Sequence, residues 1–283
     1  RTIARDIERA GVRVDARLLF AWFRLSSKVR EIRAGNYEIP PGTTPIALLD
    51  KLVRGEESLR SLTLVEGWTF RQMRAALARE ELRHDTASLS DAEIMQQLGR
   101  PGVPAEGRFF PDTYAYAKGS SDLAVLRRAL HAMDRHLEAA WAQRSADTPL
   151  KSADEALVLA SIVEKETGQA ADRPQIAGVF ANRLRTGMLL QTDPTVIYGL
   201  GEKFDGNLRK RDLQTDTPWN TYTRTGLPPT PIAMPGKASL IAAVQPQATR
   251  ALYFVARGDG SSHFSATLEE HNRAVQRYQL QKK

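Results

Sequence analysis

Residues 152–167 read Ser-Ala-Asp-Glu-Ala-Leu-Val-Leu-Ala-Ser-Ile-Val-Glu-Lys-Glu-Thr, and their periodicity predicts a helix over 152–166. With Leu157 set at zero and about 100° per residue, Asp154, Ser161, Glu164 and Lys165 share one polar face. Ala156, Leu159, Ile162 and Val163 fill the opposite side. Glu166 falls at about 180°, between Leu159 and Ile162 on the apolar face, and Glu164 lies about 200° away from it. A carboxyl on the apolar side of a helix's last turn is costly unless it is paired or protonated. Burial also raises its pKa, which is what a general acid at neutral pH requires. The periodicity fits a second reading equally well: the helix stops before Glu166 and leaves it as a solvated cap.

Outward from this helix, others are expected over 122–144 and, after the break at 172–174, over 175–186, stopping at Gly187. The region 85–104 reads as a further helix between polar loops. Before it, two stretches share one design. Residues 34–44 read as a short strand, a Pro/Gly turn and a Thr44 cap for a helix over 45–53. Residues 62–65 alternate like a strand, Glu66-Gly67 turns, and Thr69 caps a helix running to 82. The first 34 residues read as two helical pieces split near 11–14, with Leu18, Leu19, Trp22 and Phe23 on one face. Beyond Met188 the chain reads as loop and short strand to Pro235, then a short helix over 240–244, a buried-type strand over 252–256 and a closing helix over 271–281. Helices and strands alternate without a βαβ rhythm, so the expected class is α+β rather than a doubly wound sheet.

Composition narrows the chemistry. The 283 residues carry 40 basic and 33 acidic side chains, a net charge of +7. The basic residues are spread along the chain without long runs, as on a solvated surface. An anionic partner such as a polyanionic wall or a lipid headgroup is compatible with that charge. Nucleic acid is not expected, for there is neither an RNA-binding aromatic signature nor a Cys/His finger. Cysteine is absent, which removes disulfides and thiolate sites. The five histidines form no metal-ligand spacing, and P-loop, GxGxxG, GxSxG and SxxK patterns are missing, so neither metal nor cofactor is called for. Ser161 stands near a carboxylate but near no histidine, which argues against acyl transfer. No apolar run reaches the length of a membrane span.

Two further runs offer polar groups between aromatic rings. One is residues 188–199, with Gln191, Thr192, Asp193 and Tyr198. The other is Trp219-Asn220-Thr221-Tyr222-Thr223. Such a mixture suits a sugar chain, whose faces are apolar and whose edges are hydroxyls and amides. Each run alone reads as well as turn chemistry, with Thr and Asn satisfying their own backbone.

Taken together, EGRFFPDTY (106–114), ASIVEKET (160–167), NRLRTGMLLQTDPTVIYG (182–199), NTYTRTGLPP (220–229) and LYFVA (252–256) resemble the YceG-like endolytic murein transglycosylase family. Arg108 departs mildly from that pattern, where relatives more often carry an apolar or aromatic residue. The resemblance implies a LysM-like module within residues 1–60 and an α+β catalytic domain over 61–283. It also implies cleavage of the β-1,4 bond between N-acetylmuramic acid and N-acetylglucosamine inside nascent peptidoglycan strands, leaving 1,6-anhydro-muramic ends and terminating elongation. Glu166 is the implied acid/base, since lytic transglycosylases place theirs directly before Ser or Thr; Glu164 is the runner-up. Gln191, Asp193, Tyr198, Asn220 and Tyr222 are the expected sugar-gripping residues, with Glu106, Tyr114 and Glu164 lining or bracing the cleft. The implied setting is the periplasmic side of the inner membrane, with a single-pass anchor upstream of Arg1 and partners among glycan polymerases and penicillin-binding proteins. Two rivals stay open: a non-catalytic peptidoglycan-binding scaffold, and a hydrolase in which Asp193 activates water.

Overall fold

Local signals at helix ends account for much of the architecture, which the computed structural model describes for residues 2–280. The chain divides into two units, residues 1–61 with 115–120, and residues 62–114 with 121–283. The smaller holds α1 (Thr2–Arg9), α2 (Ala16–Leu25) and α3 (Pro45–Arg54). Asp15 caps α2 by accepting from the N–H groups of Arg17 and Leu18, and Thr44 caps α3 with Pro45 in its first turn. Ile7, Leu19, Phe23, Leu48, Leu49 and Leu52 form the core of this unit.

The strand expected within 34–44 is absent. Pro40 and Pro41 supply no ladder donors, and the backbone there bonds irregularly, Asn36 O accepting from Ser58 N and Glu38 O from Lys51 Nζ. The first strand is β1 (Leu59–Thr63), and its partner β2 (Thr113–Ala117) follows α4 (Phe70–Leu77) and α5 (Asp91–Gln97). Thr69 and Gln72 form a capping box on α4, and Ser90 and Glu93 form one on α5. Both helices are shorter than their sequence patterns predict.

The larger unit is organised around α7 (Ala153–Glu166), with α6 (Asp122–Ala142), α8 (Arg173–Thr186) and α11 (Lys237–Val244) packed against it. Residues Ala156 to Val163 are buried without interruption. Over these residues the helix is therefore enclosed on all sides, and of the expected polar face only Asp154 and Lys165, toward the two ends, are exposed. Ser161, fully buried, donates to Val158 O and accepts from Ile232 N. The region 188–235 is not all loop: α9 (Asp193–Leu200) and α10 (Lys210–Gln214) lie within it. Asp193 and Pro194 occupy the first helical positions of α9, where proline's missing N–H costs nothing.

Near the C-terminus β3 (Tyr253–Ala256) pairs antiparallel with β4 (Ser262–Ser265), setting Phe254 opposite Phe264. Then α12 (Leu268–Val275) starts earlier than expected, because Thr267 and Glu270 form its capping box. Residue 281, the last of the expected closing helix, lies outside the described residues. The whole is mixed α+β with small sheets. Among the described residues no helix is long and apolar enough to cross a membrane.

Candidate active site

Helix α7 runs to Glu166, with Thr167 as its C-cap, so the acidic side chain belongs to the last helical turn. Its carboxyl is half-buried and accepts a hydrogen bond from Thr192 Oγ1. Thr192 stands at the N-cap position of α9 but makes no side-chain cap; its hydroxyl is committed to Glu166 instead. Thr221 fixes that arrangement, with its Oγ1 accepting from Thr192 N and sharing a hydrogen bond with Thr195 Oγ1. All three threonines are buried. Burial pushes the Glu166 pKa up to about 7, the Asp193 charge adds to the rise, and the Thr192 hydroxyl opposes it. The negative end of the α7 dipole also disfavours an anion there.

Glu166 opens into a cavity of about 380 Å³ lined also by Arg183, Gln191, Asp193, Tyr222 and His271. Tyr222 donates to Asp193 Oδ1 at 2.5 Å. Gln191 has a φ of 48°, a left-handed conformation that costs a non-glycine residue about 1 kcal/mol or more. Its N–H donates to Thr221 O at 3.1 Å, and such strain is commonest where function holds the backbone.

Among the lining residues that the sequence did not single out are Arg183 and His271. Arg183 binds the carbonyls of Leu189, Leu190 and Leu252 and lies over the Tyr253 ring, tying α8 to both walls of the cavity. His271 stacks on Tyr253, its Nδ1 buried without a hydrogen-bond partner among the described residues. Burial first, then the Arg183 charge, lowers its pKa. Arg183 lies inside the NRLR run, so a local signal existed. His271 arrives only through the packing of α12.

A second cavity, of about 1000 Å³, is lined by residues that include Glu106, Tyr198, Trp219 and Phe204. Glu106 is 9% exposed and accepts from Phe70 N at 3.0 Å and from the Tyr198 hydroxyl. Burial raises its pKa to about 7 against those bonds. Gly107, at φ 79°, makes the turn; a Cβ there would lie 2.4 Å from Pro231 Cβ.

Three expected contact residues are placed elsewhere. The Glu164 side chain, 6% exposed, pairs with Arg173 at 3.5 Å and accepts from Gly236 N at 2.9 Å. It neither faces solvent nor lines the Glu166 cavity. Asn220 is 0% exposed; its Nδ2 donates to the carbonyls of Leu213 and Thr215 and its Oδ1 accepts from Tyr222 N, so it shapes the loop that presents Tyr222. Tyr114 donates to Phe110 O within the fold and lines neither cavity. Arg108 pairs with Asp154 at 2.6 Å, which accommodates its charge at a part-buried position. No cluster of three or more His, Asp or Glu suited to a metal ion occurs among the described residues.

The model of the YceG-like family matches residues 1–277. An endolytic murein transglycosylase of Bacillus subtilis (strain 168) is 35% identical, the match covering 87% of this chain and 73% of that protein. One of Streptococcus pneumoniae (serotype 2, strain D39) is 27% identical over 96% of this chain, which spans only 55% of its length. A crystal structure of a yceG-like protein from Listeria monocytogenes superposes with a TM-score of 0.63 at 30% identity, covering 96% of this chain and 93% of that one.

Proposed function

This chain belongs to the YceG-like family, and from that premise we propose that it is an endolytic lytic transglycosylase of peptidoglycan with Glu166 as its acid/base. The carrying observation is a half-buried carboxyl on the last turn of α7 that lines a polar cavity and accepts from the Thr192 hydroxyl, with burial pushing its pKa up to about 7. A group so poised can donate a proton and take one back near neutrality.

Protonated Glu166 donates to the O4 leaving oxygen of N-acetylglucosamine as its bond to the muramic C1 breaks. The substrate's own acetamido group stabilises the positive charge that develops at C1. The muramic C6 hydroxyl then closes on C1 and gives its proton to Glu166, forming the anhydro end and restoring the acid. No water is consumed, unlike the two-carboxylate hydrolases. Thr192 orients the carboxyl, and Gln191, Asp193 and Tyr222 provide polar contacts for the sugar in the reactive cavity.

Asp193 in the same cavity supports one alternative chemistry, hydrolysis with that carboxylate activating water. In the smaller unit Asn36, Tyr37, Glu38, Ser58 and Lys118 line a cavity of about 460 Å³, which supports the reading of that unit as a LysM-like glycan-binding module beside a catalytic domain. An envelope location, with a membrane anchor preceding Arg1 and glycan polymerases or penicillin-binding proteins as neighbours, belongs to the same proposal.

The test is incubation of the protein, and of Glu166→Gln, with uncrosslinked nascent glycan, followed by mass spectrometry of the product ends. Anhydro ends that vanish in the variant are expected. Reducing ends would indicate hydrolysis, and full activity of the variant would remove Glu166 from the mechanism.

A further inference from the structure

Charge is not shared evenly between the two units. The smaller, residues 1–61 with 115–120, carries 13 basic against 8 acidic side chains, so it holds +5 of the chain's +7. The imbalance is sharpest over residues 13–30, where Arg13, Arg17, Arg24, Lys28 and Arg30 stand against Asp15 alone. The Asp15 carboxylate is already committed to the N-cap of α2, and Lys28 pairs with Asp50 at 2.9 Å. Arg13, Arg17, Arg24 and Arg30 are exposed and have no acidic partner among the described residues.

Helix α2 sets two of these arginines beside an apolar strip. Leu19 and Phe23 turn into the core of the unit. The other side of the helix is apolar too, with Leu18 71% and Leu25 86% exposed. At about 100° per residue Leu18, Ala21 and Leu25 fall within about 60° of one another, and Arg17 and Arg24 form one flank of that strip. Trp22, half-buried, forms the other flank. A single exposed leucine is ordinary, but two on one face, between a tryptophan and a stripe of unpaired arginines, make a patch that marks an interaction surface.

We propose that this face of α2 docks on an anionic lipid bilayer. Leu18 and Leu25 enter the boundary between headgroups and acyl chains, where an apolar helix face is stable. Trp22 sits at headgroup level, the usual place of an amphipathic ring. Arg17 and Arg24 meet lipid phosphates, which their guanidinium groups bind through paired N–H donors. Charge complementarity selects this occupant. A second copy of the face would bring arginines and no acidic side chain, since α2 has none. A soluble polyanion would engage the arginines and leave the leucines in water. The inference stands apart from the catalytic reading, and the failure of either leaves the other intact.

The experiment is co-sedimentation of the 283-residue chain with vesicles of phosphatidylcholine alone and of phosphatidylcholine with about one-third phosphatidylglycerol, at low and high salt. Binding to the anionic vesicles, weakened by salt and by omission of phosphatidylglycerol, is expected. Leu18→Ser with Leu25→Ser should weaken it about twentyfold, and Arg17→Gln with Arg24→Gln by a similar factor. Thermal melts confirm that the variants are folded; should the leucine pair impair folding, Leu25→Ser alone should still cost about fivefold. No binding by wild type overturns the proposal. So does a loss confined to the arginine pair, which would describe a polyanion site without insertion. A wild-type dimer in analytical ultracentrifugation that the leucine substitutions dissolve, with vesicle binding unaffected, would overturn it in favour of a second copy.

Discussion

The two sides of the last turn of α7 treat their carboxyls differently. On one side Glu164 meets a guanidinium and a backbone N–H, so its charge is compensated inside the fold. On the other, Glu166 meets a single hydroxyl, the negative end of its own helix and the nearby Asp193 charge. Both are drawn away from water, and both sit in one tetrapeptide, Glu164-Lys165-Glu166-Thr167. The difference lies in what each carboxyl meets once it is enclosed, an opposite charge for Glu164 and, among the described residues, none within hydrogen-bond reach for Glu166.

The comparison can be broken most sharply by exchanging each carboxylate for its amide. Glu166→Gln should lower the cleavage rate about a thousandfold, since general acid catalysis is lost, while Glu164→Gln stays within a few-fold of wild type per folded molecule. Stability should respond in the opposite sense. Glu164→Gln removes the carboxylate paired with Arg173, 14% exposed in its side chain, and should destabilise the fold by about 2 kcal/mol in urea unfolding, with the Glu66 charge still near the guanidinium. Comparable rate losses from both substitutions would dissolve the distinction.

A smaller effect follows from linkage. The Glu166 pKa is raised from an ordinary 4.5 to about 7, so between those values the unfolded chain ionises first and stability falls as pH rises. Its contribution is intact below pH 4.5 and lost by about pH 7. Glu166→Gln escapes the penalty and should exceed wild type by about 3 kcal/mol at pH 8, the two converging toward pH 5, as read from paired thermal melts. A constant offset at every pH would mean that the carboxyl is not ionising as described.

The smallest effects sharpen the account of what sets that pKa. The rate should decline above about pH 7 as Glu166 loses its proton. Thr192→Val removes the bond that favours the anion and should move this limb to higher pH. Asp193→Asn removes a repelling charge and should move it lower, each by about a unit or less. The pH–rate profiles of the two variants check the pair of signs together.

Much of this was legible because it is local. Thr69 and Thr44 cap the helices expected of them, Gly187 ends α8 in a left-handed turn, and α7 lies where its apolar spacing puts it. The Tyr198–Glu106 pairing and the retirement of Asn220 and Tyr114 into the fold were not legible, because in each case the sequence offers only a polar side chain in an aromatic run. What such a side chain touches depends on segments far away in the chain.

The helical periodicity of residues 152–166 and the ordered motifs determined by themselves the central helix, the mixed α+β class and the family. Spacing along a chain fixes which residues share a helix, and little else is needed for that. Only the tertiary structure decided that Glu164 is enclosed, that α9 brings Thr192 to Glu166, and that Arg183 and His271 share its cavity. Each of these depends on long-range contacts, which decide where water is excluded and which charges become neighbours.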